Sequence, residues 1–406
     1  SQNKMLRILG VDNDSVNQGW LCDKGRYNFE YLNSEKRLKT PQKSINNNFV
    51  DVEIQDVYSE LSEIIQDRKT KVNFLLGSNL ANEDYVAFRE FSKSISDTEQ
   101  SFYINDDLLY QGHFGQDNEL AKIDDLNSSD AIVVWAEDLK EKMPVLYLRV
   151  RQAVKKGVKL IVFGHTNKTL SDIADVFYGK ETVSKNFEII KDVSKLNEIK
   201  NYVIGKNVTA IIGKSTPQQS DDSVTELFEF LRSNSNTKIL NAYTKGNIYG
   251  AFQTLENIKG TRDFVENISG ENTDLLFIVG ADPVGRSFYS NQIKSIIENL
   301  DTVVSLDIFN HETAELSNFV IPVSSTLGEK EGTFTNIEFR TSRIDKLVPS
   351  PGQTVSDWEF ITSLMNFAGL SNDSNSLEDL NNKAFVNIET SSKPVFDNLD
   401  KPSNLD

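Results

Sequence analysis

Cys22 is the only cysteine among the 406 residues of this chain. Cysteine thiolates act as nucleophiles and as soft ligands of zinc and of iron–sulfur clusters. One thiolate cannot hold a four-ligand cluster, so the residue by itself predicts a lone, half-buried thiol. A single cysteine also excludes a disulfide framework and fits a reducing cytoplasm.

A second group of chemically distinctive residues lies between positions 319 and 336. Phe319–Pro322 is a short apolar strand that ends at proline, which has no N–H to donate. The charged residues Glu329–Glu331 follow, and Gly332 then allows a tight turn. Thr333–Asn336 is rich in β-forming residues. From residue types alone, this segment is a strand, a loop and a hairpin.

Other candidate sites are weaker. Gly213–Thr216 resembles the end of a phosphate-binding loop, but the first glycine of that pattern falls on Val208 and Pro217 disrupts the helix start. The chain has no G-x-G-x-x-G, so it lacks a dinucleotide-binding fingerprint. Without metal-ligand spacing, structural or surface roles are predicted for the histidines. These are His113, His165 and His311.

Composition and charge limit the partners. The net charge is −17, from 43 Lys and Arg against 60 Asp and Glu. Such a balance argues against direct binding to nucleic acid or to an anionic membrane surface. The sequence contains no run of eighteen apolar residues, so no transmembrane helix is predicted, and no signal peptide is recognised. At 38% hydrophobic residues, the chain has enough apolar material for packed cores.

Strand-like and helix-like patterns alternate along the chain. Short, almost continuously apolar runs predict strands buried on both faces of parallel sheets. They are Val72–Leu76, Ala131–Trp135, Leu160–Phe163, Thr209–Ile212, Leu275–Val279 and Thr302–Leu306. Helical patterns lie between them, at Asp56–Arg68, from Asn82 to about Ile95, after Pro144, at Asp221–Leu231 and at Ser290–Leu300. This alternation predicts an α/β fold.

The block from His311 to Arg340 resembles the signature of the molybdopterin oxidoreductase superfamily. There, a T-A-x-x-A-D-x-V-L-P strand precedes E-x-x-G-T-x-T-N-x-E-G-R. The version Glu-Lys-Glu-Gly-Thr-Phe-Thr-Asn, at 329–336, looks most like the member of this superfamily found in bacterial respiratory NADH:quinone oxidoreductase, complex I, as its large iron–sulfur subunit. The chain departs from the pattern at Ser317-Asn318, where Ala-Asp is frequent, and at Phe339, where Gly is usual.

A second resemblance lies near the other end. Asn17–Tyr27 and Arg37–Pro41 are similar to the N-x-x-W-x-C-D-K-G-R-[FWY]…R-L-x-x-P segment of the same large iron–sulfur subunit. The resemblance implies that Cys22 is the fourth ligand of a [4Fe-4S] cluster whose other cysteines lie upstream of Ser1. The chain is therefore interpreted as a fragment that lacks the N-terminal iron–sulfur region, and no cluster is expected in it. The alternative is a subunit that has discarded its cluster.

Middle segments follow in the family's order, at Gly77–Asp84, Asp130–Trp135, Pro144–Leu160 and Gly280–Pro283. The resemblance implies two doubly wound parallel-sheet lobes plus a small β subdomain, as in molybdopterin oxidoreductases. The expected division is 1–45 with 330–348 as the β subdomain, 46–128 with 205–329 as the first lobe, 129–204 as the inserted second lobe, 349–370 as a C-terminal helix and 371–406 as a polar linker or tail.

The resemblance implies a subunit of the complex I peripheral arm, which passes electrons from NADH to quinone through iron–sulfur clusters. This portion would be mainly a scaffold without an active site. Its partners would be other peripheral-arm subunits, including the NADH- and flavin-binding subunit. The expected location is the cytoplasmic face of the bacterial plasma membrane, with the membrane reached only through the complex.

No molybdopterin is expected, because carboxylates repel the phosphates of a pterin dinucleotide. The ends of the predicted strands carry Asn82–Asp84, Glu137-Asp138 and Asp282, while only Lys214 and Arg286 supply nearby positive charge. The alternative function is a pterin-dependent molybdenum or tungsten oxidoreductase subunit of the formate dehydrogenase or nitrate reductase type. A third class is a free dinucleotide-binding or interaction protein.

Overall fold

The computed structural model describes residues 4–10, 13, 17–46, 48–66, 70–95, 101–109, 120–163, 165–178, 193–213 and 221–384. Three of the sequence-based predictions fall outside this part of the chain. They concern His113, the Lys214–Thr216 segment and residues 385–406 of the predicted tail.

Fifteen strands lie between residues 42 and 344 in the described part of the chain. In order they are β1 (Gln42–Ile45), β2 (Asn48–Asp51), β3 (Val72–Leu76), β4 (Phe102–Ile104), β5 (Ala131–Trp135), β6 (Lys159–Phe163), β7 (Val176–Tyr178), β8 (Asn207–Ile212), β9 (Asn236–Asn241), β10 (Ile258–Lys259), β11 (Leu275–Val279), β12 (Thr302–Asp307), β13 (Phe319–Pro322), β14 (Gly332–Thr335) and β15 (Thr341–Ile344).

Helices separate most of these strands. They are α1 (Asp23–Tyr27), α2 (Ile54–Gln66), α3 (Asn82–Ile95), α4 (Asp125–Ser128), α5 (Leu139–Lys142), α6 (Pro144–Lys155), α7 (Val193–Val203), α8 (Asp221–Asn234), α9 (Ile248–Thr254), α10 (Thr261–Asn267), α11 (Pro283–Arg286), α12 (Ser290–Glu298), α13 (Asp357–Phe367) and α14 (Leu377–Ala384). Short 3-10 helices occur at Glu30–Asn33, His165–Ile173 and Ala314–Leu316. Within the described ranges, no helix combines the length and apolar character needed to cross a membrane.

The strands form two large sheets and a small one. The first sheet has eight strands in the order β10-β4-β3-β11-β12-β13-β1-β2, and its strands from β10 to β13 run parallel. The second has five parallel strands in the order β7-β6-β5-β8-β9. β14 and β15 form a separate antiparallel pair. The predicted α/β fold with two parallel-sheet lobes is confirmed.

Burial explains why the central strands are almost continuously apolar. All side chains of β5 and β11 are buried, because helices cover both faces of each sheet. In the first sheet, Phe74 stacks on Phe277 with ring centroids 5.9 Å apart, and Phe91 of α3 meets both rings edge-on. Such aromatic clusters contribute more than their buried area alone.

Helix ends follow the expected signals. Pro144 is the first residue of α6, where its missing N–H costs nothing. α13 begins with a capping box, in which the backbone N–H of Ser356 donates to the Glu359 carboxylate at 2.8 Å. These caps fix the point at which each helix leaves the preceding loop.

Strand pairing differs from the expected division at one boundary between the lobes. β8 pairs with β5, with Ala131 opposite Val208, and β9 pairs with β8. Residues 207–241 therefore belong to the second sheet, although the sequence-based division placed 205–329 in the first lobe. The fully apolar β5 needs a neighbour on each edge, and the chain order does not reveal which strand supplies it. β1 pairs with β13, so residues 42–45 belong to the first sheet, although the sequence-based division placed 1–45 in the β subdomain. The remaining boundaries stay a prediction.

The prediction for the polar stretch after residue 370, made from its composition, was also only partly correct. It contains α14, whereas the sequence predicted a linker or tail over 371–406. Leu380 and Ala384 are buried on one face of this helix. Asn381 donates to Glu83, and Lys383 pairs with Glu90 at 2.8 Å. A few apolar residues at helical spacing, together with polar contacts to α3, suffice to dock a segment that is polar on average.

Candidate functional site

In open parallel sheets, ligands bind beyond the carboxyl ends of strands where the connections diverge. In the first sheet this point lies between β3 and β11. There the backbone N–H of Gly77 donates to the Val279 carbonyl oxygen at 2.6 Å. A Cβ on Gly77 would lie 2.0 Å from the carbonyl oxygen of Gly280, so the backbones of these two glycines are in direct contact. No side chain fits between the two loops at this position.

The second sheet repeats the arrangement between β5 and β8. The backbone N–H of Gly213 donates to the Trp135 carbonyl oxygen at 2.7 Å. A Cβ on Gly213 would lie 2.9 Å from the carbonyl oxygen of Ala242. The backbone at Gly213 is therefore in close contact with the strands on both sides of β8.

The loop at 242–247 joins the two crevices. Thr244 Oγ1 donates to Glu137 Oε2 at 2.7 Å, and Lys245 Nζ donates to the Asn105 carbonyl oxygen at 3.3 Å. The N–H of Asn247 donates to the carbonyl oxygen of Ser78. These contacts connect the strand ends of the second sheet with those of the first.

The first turn of α3 is bound to the Glu329–Thr335 segment, and we call these two pieces the clasp. Asn82 Nδ2 donates to the hydroxyls of Thr333 and Thr335 at 3.0 and 3.1 Å. The Glu83 carboxylate accepts from Thr333 through its N–H and its hydroxyl, both at 2.8 Å. Burial raises the pKa of Glu83, although these donors and Asn381 oppose the shift. The β-rich run that follows Gly332 is therefore attached to a helix start.

Lys330 lies inside the clasp between two carboxylates. Its Nζ is 2.5 Å from Asp84 Oδ2 and 2.5 Å from Asp357 Oδ2, and the three side chains are at most 3% exposed. Burial lowers the pKa of Lys330, but the two carboxylates outweigh burial and raise that pKa above its ordinary range. Burial raises the pKa of Asp357 to about 7, although Lys330 opposes the shift.

Arg37 and Glu329 form a second buried ion pair. The guanidinium donates through both terminal nitrogens to both carboxylate oxygens, at 2.9 and 2.8 Å. The side chains are 1% and 3% exposed. This pair joins the R-L-x-x-P segment near the start of the chain to the Glu-Lys-Glu-Gly segment, which lies almost three hundred residues later.

His311 lies between two carboxylates at the ends of neighbouring strands. Its Nδ1 is 3.2 Å from Asp282 Oδ1, and its Nε2 is 3.1 Å from Asp307 Oδ2. Burial lowers the pKa of His311, but both carboxylates outweigh it and raise the pKa to about 9. Burial likewise raises the pKa of Asp282, but His311 and Thr313 outweigh it and hold the pKa well below its usual range. The group links the loops after β11 and β12.

Cys22 is half-buried at the start of α1, where its sulfur accepts from the N–H of Gly25 at 3.4 Å. The segment around it packs on the second lobe. The Arg149 guanidinium lies 5.4 Å from the centre of the Trp20 ring, and Lys24 Nζ donates to the Glu141 carbonyl oxygen at 2.6 Å. Over the described ranges, no three His, Cys, Asp or Glu residues are arranged to hold a metal ion. The role of Cys22 as a cluster ligand stays a prediction.

The other strand-end residues named from the sequence do not form one open pocket. Asn82–Asp84 are buried in the clasp. Asp138 accepts from the N–H of Lys140 at 2.9 Å, and Glu137 binds Thr244. Arg286, whose side chain is 84% exposed, lies 3.8 Å from Asp282.

At the helix starts beyond three strand ends, one N–H donor is bound to a side chain of the protein itself. The N–H of Ala81 donates to Asp84, that of Leu139 to Asn167, and that of Gly285 to Asp282. Such donors are the groups that otherwise bind phosphate.

Sequence reasoning missed both buried ion pairs. Arg37, Glu329 and Lys330 stood inside recognised motifs, but their partners could not be read from spacing. Asp357 carried one usable signal, since it follows Ser356 in the S-x-x-E pattern of a helix start. That pattern locates a helix and does not identify an ion-pair partner.

The comparisons with known proteins agree on one family. The family model described as Molybdopterin oxidoreductase matches residues 37–367. The F420-dependent formate dehydrogenase subunit alpha of Methanocaldococcus jannaschii is 22% identical, over 93% of this chain and 69% of the relative. The NADH-ubiquinone oxidoreductase 75 kDa subunit of Reclinomonas americana is 21% identical, over 95% of this chain and 57% of the relative.

Among solved structures, acetylene hydratase from Pelobacter acetylenicus superimposes with a TM-score of 0.58 at 12% identity. The match covers 86% of this chain and 64% of that one. At this identity the likeness concerns the fold alone.

Proposed function

Because this chain belongs to the molybdopterin oxidoreductase family, we propose that it is part of a multisubunit electron-transfer oxidoreductase in which its described residues serve as a scaffold without a pterin cofactor. The chain spans only part of the length of its relatives, so this proposal concerns the portion at hand. The scaffold role is supported by the clasp and by the two buried ion pairs, which connect segments distant in sequence.

The proposal that this chain binds no pterin rests mainly on one observation. The N–H groups of Ala81, Leu139 and Gly285, at helix starts beyond β3, β5 and β11, already donate to the chain's own Asp and Asn side chains. Backbone contact also fills the space between Gly77 and Gly280. These groups do not fit the phosphates of a pterin dinucleotide, which need free donors and positive charge.

For the identity of the complex, we favour the peripheral arm of an NADH:quinone oxidoreductase. The Glu-Lys-Glu-Gly-Thr-Phe-Thr-Asn motif and the likeness to the 75 kDa subunit support it. Partners would then include the NADH- and flavin-binding subunit, and the complex would lie at the cytoplasmic face of the plasma membrane. Cys22 would serve as a cluster ligand together with upstream cysteines.

The second candidate is a pterin-dependent subunit of the formate dehydrogenase type. The relatives favour this candidate, since three F420-dependent formate dehydrogenase alpha subunits are 22–23% identical, against 21% for the 75 kDa subunit. In that case a metal–pterin cofactor would supply the redox chemistry. The acidic and internally bonded strand ends argue against this candidate.

The experiment is to purify the native complex through a tag on this chain. We expect no stoichiometric molybdenum or tungsten, no pterin fluorescence after oxidation, and co-purification of an NADH-oxidising flavoprotein. A pterin dinucleotide retained at one equivalent, together with formate oxidation, would establish the second candidate. If the flavoprotein co-purifies and a pterin is also present, the cofactor-free scaffold role would be refuted, while the identity of the complex would stand.

A further inference from the structure

The cluster of Asp84, Lys330 and Asp357 contains one positive and two negative groups in the protein interior. Lys330 Nζ lies 2.5 Å from an oxygen of each carboxylate. The side chains of Lys330, Asp84 and Asp357 are 3%, 0% and 2% exposed. One ammonium balances only one carboxylate. The second negative charge is buried without a counter-ion of its own, which is unfavourable.

The two carboxylates are not equivalent. Asp84 Oδ1 accepts from the N–H of Trp358 at 3.2 Å, and its Oδ2 accepts from the N–H of Ala81 at 2.7 Å in addition to Lys330. Asp357 Oδ2 accepts from Lys330, but its Oδ1 is buried and has no hydrogen-bond partner. A carboxylate with more donors is the better site for negative charge. The proton that restores balance therefore belongs on Asp357.

Neighbouring groups do not supply another cation. Tyr85, on the same helix as Asp84, donates its hydroxyl to the Gly77 carbonyl oxygen at 2.8 Å. Glu359, on the same helix as Asp357, accepts from the N–H of Ser356. Glu83 is bound to Thr333. On the clasp itself, Glu329 and Glu331 flank Lys330 in sequence. Glu329 is already paired with Arg37, and Glu331 is exposed.

We infer that Asp84, Lys330 and Asp357 form a binding site for one proton, which Asp357 Oδ1 holds in the folded protein. The site connects three elements: the start of α3, the Glu329–Thr335 segment and the start of α13. With the proton bound, the cluster is neutral overall. When the proton leaves, a net negative charge remains in the interior, and the junction of these three elements is weakened. This inference does not depend on which oxidoreductase contains the chain.

The direction of the pH effect follows from proton linkage. Burial raises the pKa of Asp357 from 3.8 to about 7 in the folded protein. Because the folded state holds the proton more tightly than the unfolded state, the stabilisation is complete below about pH 4 and is lost as the pH rises through about 7. Over the range between these values, one linked proton changes the unfolding equilibrium about tenfold per pH unit.

The test compares the 406-residue protein with its Asp357→Asn variant by infrared difference spectroscopy during a pH titration. The wild type should show the carbonyl band of a protonated carboxylic acid that disappears with a midpoint near pH 7, and the variant should lack this band. Burial raises the pKa of Asp106 to about 6, so the titration is repeated in Asp106→Asn to remove a competing signal. This second variant keeps the inference testable if Asp357→Asn fails to fold.

Denaturant unfolding of the same proteins gives an independent result. Between about pH 5 and pH 7, the unfolding equilibrium constant of the wild type should change about tenfold more per pH unit than that of Asp357→Asn, because the variant lacks the linked proton. Asp345→Asn is the matched control, because Asp345 forms an exposed pair with Arg343, and it should leave the pH dependence unchanged. An acid band with a midpoint near pH 7 that is unchanged in Asp357→Asn, a midpoint near the ordinary value of an aspartate, or identical pH dependence in all variants would overturn the inference.

Discussion

At the scale of single residues, the most consequential contact is the buried pair of Arg37 and Glu329. Buried ion pairs add little stability in comparison with apolar residues, since desolvation offsets their attraction. Their bidentate geometry, however, fixes how two segments meet. The pair therefore specifies the contact between the early R-L-x-x-P segment and the clasp.

Glu329→Gln tests this interpretation. The change leaves Arg37 buried without a counter-ion, so the free energy of unfolding should fall by about 3–5 kcal/mol. The measurement is chemical denaturation followed by circular dichroism. Asp345→Asn removes an exposed ion pair and should cost less than about 1 kcal/mol. Equal losses in both variants would mean that removing one partner of the buried pair costs no more than removing one partner of an exposed pair.

His311 provides a prediction for alkaline pH. Its folded pKa, about 9, is higher than its ordinary value of 6.5. Its contribution to stability is therefore complete below about pH 6.5 and is lost as the pH rises through about 9. The chain has three histidines, so His311→Gln should remove one identifiable imidazole signal in proton–carbon NMR spectra. A signal so assigned that titrates near 6.5 would contradict the carboxylate–imidazole–carboxylate arrangement.

At the scale of elements, the clasp shows why a glycine is required at the first position of β14. The sequence predicted that Gly332 allows a tight turn, but Gly332 is the first residue of β14. Its φ is +159°, close to the extended range. A Cβ there would lie 2.9 Å from both the Cβ of Ala81 and Oε2 of Glu83. Glycine is needed because β14 approaches α3 closely.

Gly332→Val should lower the free energy of unfolding by about 1–3 kcal/mol, because it overfills this contact. Gly332→Ala should show a smaller loss, and Ala81→Gly should recover part of it by making room for the added methyl group. Thermal and denaturant unfolding measure these effects. Lost electron transfer with unchanged stability and assembly would instead indicate a chemical role for this segment.

Phe339 illustrates the opposite case. The family pattern usually has glycine here, and Phe339 adopts a φ of +58°, in the left-handed region. A non-glycine residue there stores backbone strain. Its ring packs edge-on against Tyr249, with centroids 5.1 Å apart. The departure from the pattern thus exchanges backbone freedom for a packed aromatic contact.

At the scale of the molecule, the loop at 242–247 connects the two sheets. Gly246 lies so close to the loop after β3 that an added Cβ would be 2.3 Å from Asn79 Oδ1 and 3.0 Å from the Ser78 carbonyl oxygen. The same loop supplies Asn247, which donates to Asn82 Oδ1 at 2.7 Å. The loop therefore ties the second sheet to the clasp.

Gly246→Ala should weaken this connection and lower the free energy of unfolding by about 1–3 kcal/mol. The double variant with Asn79→Ala removes the closest atom and should recover part of the loss. Calorimetry should show the two sheets unfolding less cooperatively in the single variant than in the wild type. An unchanged single transition in Gly246→Ala would show that this loop does not couple the sheets.

The sequence alone determined the α/β class and the positions of the central strands of both sheets. Residues 131–135 and 275–279 are continuously apolar, and residues 72–76 are apolar except for Asn73. This property follows from burial on both faces of a parallel sheet. The motifs near Cys22 and Glu329 also identified the family, which the match over residues 37–367 confirms. Local chemistry sufficed because each of these signals lies within a few consecutive residues.

Only the tertiary structure decided which distant residues meet. The pairing of β5 with β8, the contact of Arg37 with Glu329 and the position of Lys330 between Asp84 and Asp357 all join segments far apart in the chain. Spacing along one sequence cannot encode these partners, because the folding of the intervening chain sets the distances. The same reason explains why the sequence could place Asn82–Asp84 at the end of a strand but could not show that they lie buried in the clasp.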